Sequence, residues 1–146
     1  MERIIQEKIS ADHLLYVSLK YTKTGDVMLN LINRWESMIA RSVVAILEKA
    51  KKKKQIKLIP TAPKQKIEKM REIYKKNEEM IQAMDLYEFF KRVENAQKTK
   101  ENEFRKNVTL KVLDKGQWID INLDTLKEYN QILERFISQV KQILSK

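Results

Sequence analysis

The chain has 146 residues, with two glycines, two prolines, no cysteine and one histidine. That length suits one compact domain, and so few turn-forming residues argue against an all-β sandwich or barrel. Without cysteine, disulfides, thiolate metal sites and cysteine nucleophiles are excluded, and a lone histidine excludes a multi-histidine metal centre. The formal net charge is +10, and 42 % of the residues are hydrophobic, enough to build a core.

The charge is concentrated. Between Lys49 and Lys76 stand twelve basic residues against Glu68 and Glu72 alone, while the other 118 residues carry eighteen charges of each sign. The whole net charge therefore belongs to 28 residues. The first eight residues alternate charged and apolar side chains, unlike a signal peptide, and no window reaches the ~18 apolar residues of a membrane span. The expectation is a cytoplasmic protein with no membrane contact.

In chain order, apolar residues at Ala11, Leu14, Leu15 and Leu19 predict a short amphipathic helix over Ile9–Leu19, capped by Ser10 or Asp12. Gly25 reads as a stop and Asp26 as the next N-cap. From Val27 to about Lys53, Met28, Leu31, Ile32, Trp35, Met38, Ile39, Val43, Ile46, Leu47 and Ala50 follow a helical period, which predicts the spine of the fold. Pro60 and Pro63 force an extended connection, with Pro63 suited to a helix start. Ile67, Met70, Ile73 and Tyr74 line the helix that follows. Met80 to Val93 carries another, with a break expected near Asp85, and the polar run Gln97–Glu103 ends it. Val108, Leu110 and Val112 alternate with polar residues, and so do Ile119, Ile121 and Leu123. With Gly116 in the turn, they predict a β-hairpin pairing about 105–113 with 117–122. Leu126, Tyr129, Leu133, Phe136, Val140 and Ile143 recur at helical spacing, with Asp124 or Asn122 as cap. The predicted fold is mainly α: one domain over 1–146, an up-and-down bundle of about five helices with one β-hairpin before the C-terminal helix.

For chemistry, Lys51, Lys52, Lys53, Lys54, Lys57, Lys64, Lys66 and Arg71 are the candidate polyanion-binding residues, an electrostatic footprint for phosphates. The alternative is a solvated helix end, since the lysine run has no interleaved aromatic residues for base stacking. Lys23, Arg105 and Asn107 form a second candidate polar site. They belong to Lys20-Tyr21-Thr22-Lys23-Thr24 and Phe104-Arg105-Lys106-Asn107, two loop stretches suited to lining one end of a bundle. His13 lies next to Asp12, but helical neighbours point apart, so a structural or surface role is expected. No metal-ligand spacing and no glycine-rich phosphate loop occur, so no metal and no cofactor are expected.

The order of these stretches carries a resemblance. Ala11-Asp12-His13-Leu14-Leu15-Tyr16-Val17, the Lys20–Thr24 stretch, the long helix, Ile59-Pro60-Thr61-Ala62-Pro63, Phe104-Arg105-Lys106-Asn107-Val108-Thr109 and Leu123-Asp124-Thr125-Leu126-Lys127-Glu128-Tyr129 together resemble a set of small archaeal proteins similar to HEPN-type helical bundles. That resemblance implies a four- or five-helix bundle, often dimeric, and a link to RNA or nucleotides. Catalytic HEPN members carry Arg-x(4–6)-His, and no such arginine precedes His13 here. The expected function is a non-catalytic RNA-, nucleotide- or polyanion-binding module. The alternatives are a protein-interaction or homodimerisation module and, third, an RNase using Arg105 or another unconventional group.

Overall fold

The computed structural model describes residues 1–146. Helix α1 (Glu2–His13) continues without a break through a five-residue π turn (Leu14–Ser18) into a last turn, Leu19–Tyr21. Then come α2 (Gly25–Lys52), α3 (Pro63–Ile73), α4 (Glu78–Asn95), strands β1 (Lys98–Glu101), β2 (Thr109–Asp114) and β3 (Gln117–Ile121), and α5 (Leu123–Ser145). The mainly helical expectation holds, with five helices and the strands ahead of the last helix.

The first helix begins seven residues earlier than its apolar pattern suggests. Its buried stripe is Ile4, Lys8, Ala11 and Leu15, so a lysine breaks the periodicity. Lys8 Nζ donates to Asp12 Oδ1 at 2.5 Å and to Glu134 Oε1 of α5 at 2.7 Å. Ser10 and Asp12 therefore lie inside the helix and cap nothing. Burial lowers the Lys8 pKa, but the hydrogen bonds it donates to Asp12 and Glu134, with the charges of those carboxylates, outweigh burial and hold the value above that of an ordinary lysine. A lysine raised in this way stabilises the fold below its ordinary pKa and loses that contribution as pH rises through the folded value. Lys8→Met is expected to cost about 1 kcal/mol at neutral pH, since both carboxylates are partly exposed. It should also remove part of the stability lost in alkaline solution, which melting curves at neutral and alkaline pH would measure.

Thr24, not Asp26, caps α2, accepting from the Val27 N–H at 3.3 Å. Gly25 is the first helical residue rather than a stop. A Cβ there would come within 2.5 Å of Lys100 Cγ, so glycine admits β1 against the helix start. Pro63 opens α3, as its missing N–H suits the first helical position. Asn77 caps α4, which runs unbroken past Asp85 because that side chain is drawn out to Arg71 of α3. Asn122 caps α5.

The expected hairpin is the larger part of a three-stranded antiparallel sheet in the order β1-β2-β3. β2 begins at Thr109 rather than near 105, and its turn carries Lys115 at φ 51° and Gly116 at φ 81°, the pairing a two-residue hairpin turn requires. β1 pairs with β2 through Lys98↔Val112 and Lys100↔Leu110. Its Lys-Thr-Lys-Glu sequence has no apolar face, and its charges suit an edge strand. Val108, Leu110, Val112 and Ile121 bury one side of the sheet on the helices.

The expected up-and-down alternation does not hold throughout, because Tyr74 at the end of α3 lies beside Lys49 and Lys53 at the end of α2, so these two consecutive helices run the same way. Glu7 of α1 faces Arg34 and Arg41 of α2, and Ile4 reaches Val44 and Ala45. Lys49 near the end of α2 donates to the Leu144 carbonyl near the end of α5, so these two helices run parallel. Asn77 at the start of α4 donates to Gln139 late in α5, so α4 runs against them. Trp35, Tyr87, Phe90 and Phe136 are buried in one core, with Tyr129 partly buried against it. At 28 residues, α2 is about 42 Å long and separates the two ends of the bundle. The sheet covers the end where α2 starts.

Candidate nucleic-acid interface

Lys51 to Lys54 stand at the far end, where α2 stops. Lys51 and Lys52 close α2, and Lys53 is its C-cap. Lys54 follows in the left-handed region at φ 62°. Its N–H donates to the Lys51 carbonyl at 3.0 Å and the Gln55 N–H to the Ala50 carbonyl at 2.8 Å. These two bonds make a Schellman motif, whose left-handed position glycine usually fills. A lysine held there carries a conformational cost that the charge run does not need for folding. Lys54→Gly is expected to raise stability by about 1 kcal/mol, the left-handed penalty of an L-residue. A urea titration would show the midpoint moving up if the lysine is strained.

Lys51, Lys52, Lys53, Lys54, Lys57 and Lys64 are exposed, and Lys66 is half-buried. None of them is within ion-pair distance of a carboxylate; the nearby pairs are Lys69–Glu72 and those of Arg71. Arg71 departs from its expected role. Its guanidinium contacts Asp85 at 2.7 Å and also binds Glu88, so it fastens α3 to α4 rather than offering a free charge. The crowding of the others is visible at Lys49. Its pKa is lowered by loss of solvent and then by the charges of Lys53 and Lys52. Between the 55–61 connection and α3 opens a groove of about 780 Å³, lined by Lys57, Leu58, Pro60, Gln65, Lys69 and Ile73 among others.

The second candidate site lies at the sheet end. The Phe104 N–H donates to the Lys23 carbonyl at 2.6 Å, and the Gly25 N–H to Glu103 Oε1 at 3.1 Å. The loops of Lys23 and Arg105 are thereby joined, and Arg105 and Asn107 are both exposed. The two basic regions do not converge, since the length of α2 lies between them. Arg92 joins neither, being bound to Asp114. His13 is exposed on α1, away from any assembled set of acids, and no group of three or more His, Asp or Glu side chains comes together.

Sequence reasoning missed the exposure of four aromatic residues at the sheet end: Tyr16, Tyr21, Phe104 and, on β3, Trp118. The available signal was their position outside every apolar stripe. Tyr16 stands on the π turn, where the extra residue turns it outward, and its hydroxyl accepts from Asn130 Nδ2 at 3.0 Å. Asn130 is buried, and its Oδ1 has no partner. An unpartnered buried polar atom costs about 1–3 kcal/mol. Asn130→Leu is accordingly expected to raise the melting temperature, measured by circular dichroism, while releasing Tyr16.

By fold, the chain is a mainly helical bundle with a three-stranded antiparallel sheet between its last two helices, and no helix is long and apolar enough to cross a membrane. No protein-family model, curated protein or solved structure gives a match to it.

Proposed function

We propose that this is a non-catalytic, HEPN-like helical module that binds RNA, a nucleotide or another polyanion through the segment Lys49–Lys76. One observation carries the proposal: seven lysines, Lys51 to Lys54, Lys57, Lys64 and Lys66, follow one another from the end of α2 through the connection into the start of α3 without a carboxylate partner. Unpaired cations in this density hold their own counterions, and a phosphate chain that displaces them gains the entropy of their release. The reading is non-catalytic because the only histidine, His13, has no arginine at the spacing of the HEPN ribonuclease motif.

Filter binding with RNA, DNA and inorganic polyphosphate at low salt tests it. Affinity for all three, falling steeply as salt is added, is the expected outcome. No binding at low salt would sink the proposal. A homodimer is the second reading. It is favoured by a shallow groove of about 510 Å³ where Ile4 of α1 meets Ala40, Val44 and Ala45 of α2. Light scattering at high concentration tests that one, and a monomeric mass would dismiss it. The long apolar stripes of α2 and α5 are otherwise mostly taken up within the chain's own core.

A further inference from the structure

We infer that the sheet end of the bundle is a second binding site of different chemistry, a stacking platform for the bases of single-stranded nucleic acid. The inference extends the polyanion reading above and uses different residues, so the two can fail separately.

Three observations converge on it. The first is exposure: the side chains of Tyr21 and Phe104 stand out at 77 % and 72 % relative accessibility, and Tyr16 at 53 %. These rings lie outside the core, where aromatic residues of a small bundle otherwise belong. The second is backbone conformation. Phe104 sits at φ 67°, in the left-handed region, and Asn102 two residues earlier at φ 57°. Asparagine tolerates that region, whereas a bulky residue there is a genuine outlier. Such strain persists only where the surroundings enforce it, and it gathers at functional positions. Here the enforcing contacts are the Phe104 N–H bond to Lys23 and the Arg105 N–H bond to Asn102. Together they present the ring to solvent, although a glycine would relieve the strain.

The third is charge. Lys20, Lys23, Arg105, Lys106 and Lys127 belong to the same end and pair with no carboxylate, whereas Asp26 is taken by Lys100 and Glu103 by the Gly25 N–H. Lys20 Nζ lies 5.8 Å from the Tyr21 ring centroid. Tyr16, Lys20, Lys23 and Lys127 also line a cavity of about 260 Å³ floored by Leu15 and Leu19. That is below the ~300 Å³ at which small-molecule pockets begin, a size for one unit of a longer chain rather than for a whole ligand.

Aromatic faces interleaved with cations match the way proteins hold single strands. Bases stack on the rings without regard to sequence, and the cations follow the phosphates. Duplex nucleic acid keeps its bases stacked inside and offers the rings nothing. The lysines from Lys51 to Lys66 have charge but no aromatic residue among them, so they read phosphates alone.

The experiment uses the full chain and fluorescence anisotropy with a labelled single-stranded oligouridine long enough to engage both ends of the bundle at once, a labelled RNA duplex, and inorganic polyphosphate as a base-free competitor. The double variant Tyr21→Ala, Phe104→Ala is expected to lose at least about tenfold in affinity for the single strand, the scale of stacking on one base or more. Its affinity for polyphosphate and duplex should not change. Phe104→Gly should melt about 3 °C higher, as strain is released, while binding the single strand more weakly. Opposite movement of stability and binding is not what a purely structural phenylalanine gives. The inference is overturned if the double variant binds the single strand as the parent does, or if it loses polyphosphate binding equally. It is also overturned if its effect is confined to the oligomeric mass, which would make this face a protein contact. If replacing Lys51–Lys54 leaves every affinity intact while the aromatic variant loses the single strand, the lysine proposal fails and the platform stands.

Discussion

Replacing Lys51, Lys52, Lys53 and Lys54 together by glutamine is expected to lower RNA affinity by about 10²–10³-fold at 0.1 M salt, and to flatten its salt dependence. The estimate follows from counterion release: each phosphate contact to a single strand contributes about 0.7 to the slope of log affinity against log salt, so four lost contacts remove about 2.8. The fold should survive. All four side chains are exposed and none pairs with a carboxylate. Lys49 even gains. Its pKa is held down by loss of solvent and by Lys53 and Lys52, so its charged form is penalised in the folded state. That penalty is present at neutral pH and fades as pH rises through the lowered pKa. Glutamine at 52 and 53 removes the charge part of it at every pH. Against this stands the loss of favourable cations from the last turn of α2, at about 0.3–1 kcal/mol each. A melting temperature within a few degrees of the parent, with binding and salt slope both reduced, is the expected pair of results. Unchanged RNA affinity would show that the lysines are ordinary solvated surface.

The long helices and the core were legible in the sequence because their side chains meet one neighbour type at a fixed period. α2 follows it without interruption and every residue of its expected stripe is buried, while in α5 Leu126, Leu133, Phe136 and Val140 are buried, Tyr129 and Ile143 only partly, and Asn130 and Ile137 join the buried face. Legibility failed where one structure element borrows its stability from another. β1 is invisible in Lys-Thr-Lys-Glu because its reason to be extended is the free edge of β2. The start of α1 is hidden because Lys8 occupies a core position, and the acids that make this tolerable are Asp12 and, in another helix, Glu134. Arg71 read as a free cation because its partners, Asp85 and Glu88, come from α4. The candidate sites divide in the same way. The lysine segment is a local property and was plain. That Lys23 and Arg105 share one end depends on a backbone bond between residues 81 positions apart, Phe104 and Lys23. Only the suitability of each stretch for a bundle end could be read beforehand.

Trp35→Ala should be the most damaging single change. Trp35 is fully buried in α2 and stacks on Phe90 of α4 with ring centroids 5.9 Å apart at 15°. Phe90 in turn meets the edge of Tyr129 of α5 at 5.8 Å. This layer ties α2, α4 and α5 together between the lysine end and the sheet end. Truncating a buried tryptophan costs about 3–5 kcal/mol, a large share of the ~5–15 kcal/mol that holds a domain folded. Trp35→Phe should cost far less. It keeps a ring on Phe90, and it removes an indole N–H that has no hydrogen-bond partner in the core, an omission worth about 1–3 kcal/mol that offsets part of the lost volume. Urea unfolding followed by circular dichroism separates the two, and a Phe variant as unstable as the Ala variant would contradict the account. Tyr129 offers a local reading of the same layer. Burial, helped by the charge of Glu128, pushes its phenol up to about 12. In the Ala variant, water reaching the vacated space should let Tyr129 ionise at lower pH in an ultraviolet titration. RNA binding should fall only with the unfolded fraction, because the layer touches neither charged end and serves to keep them apart.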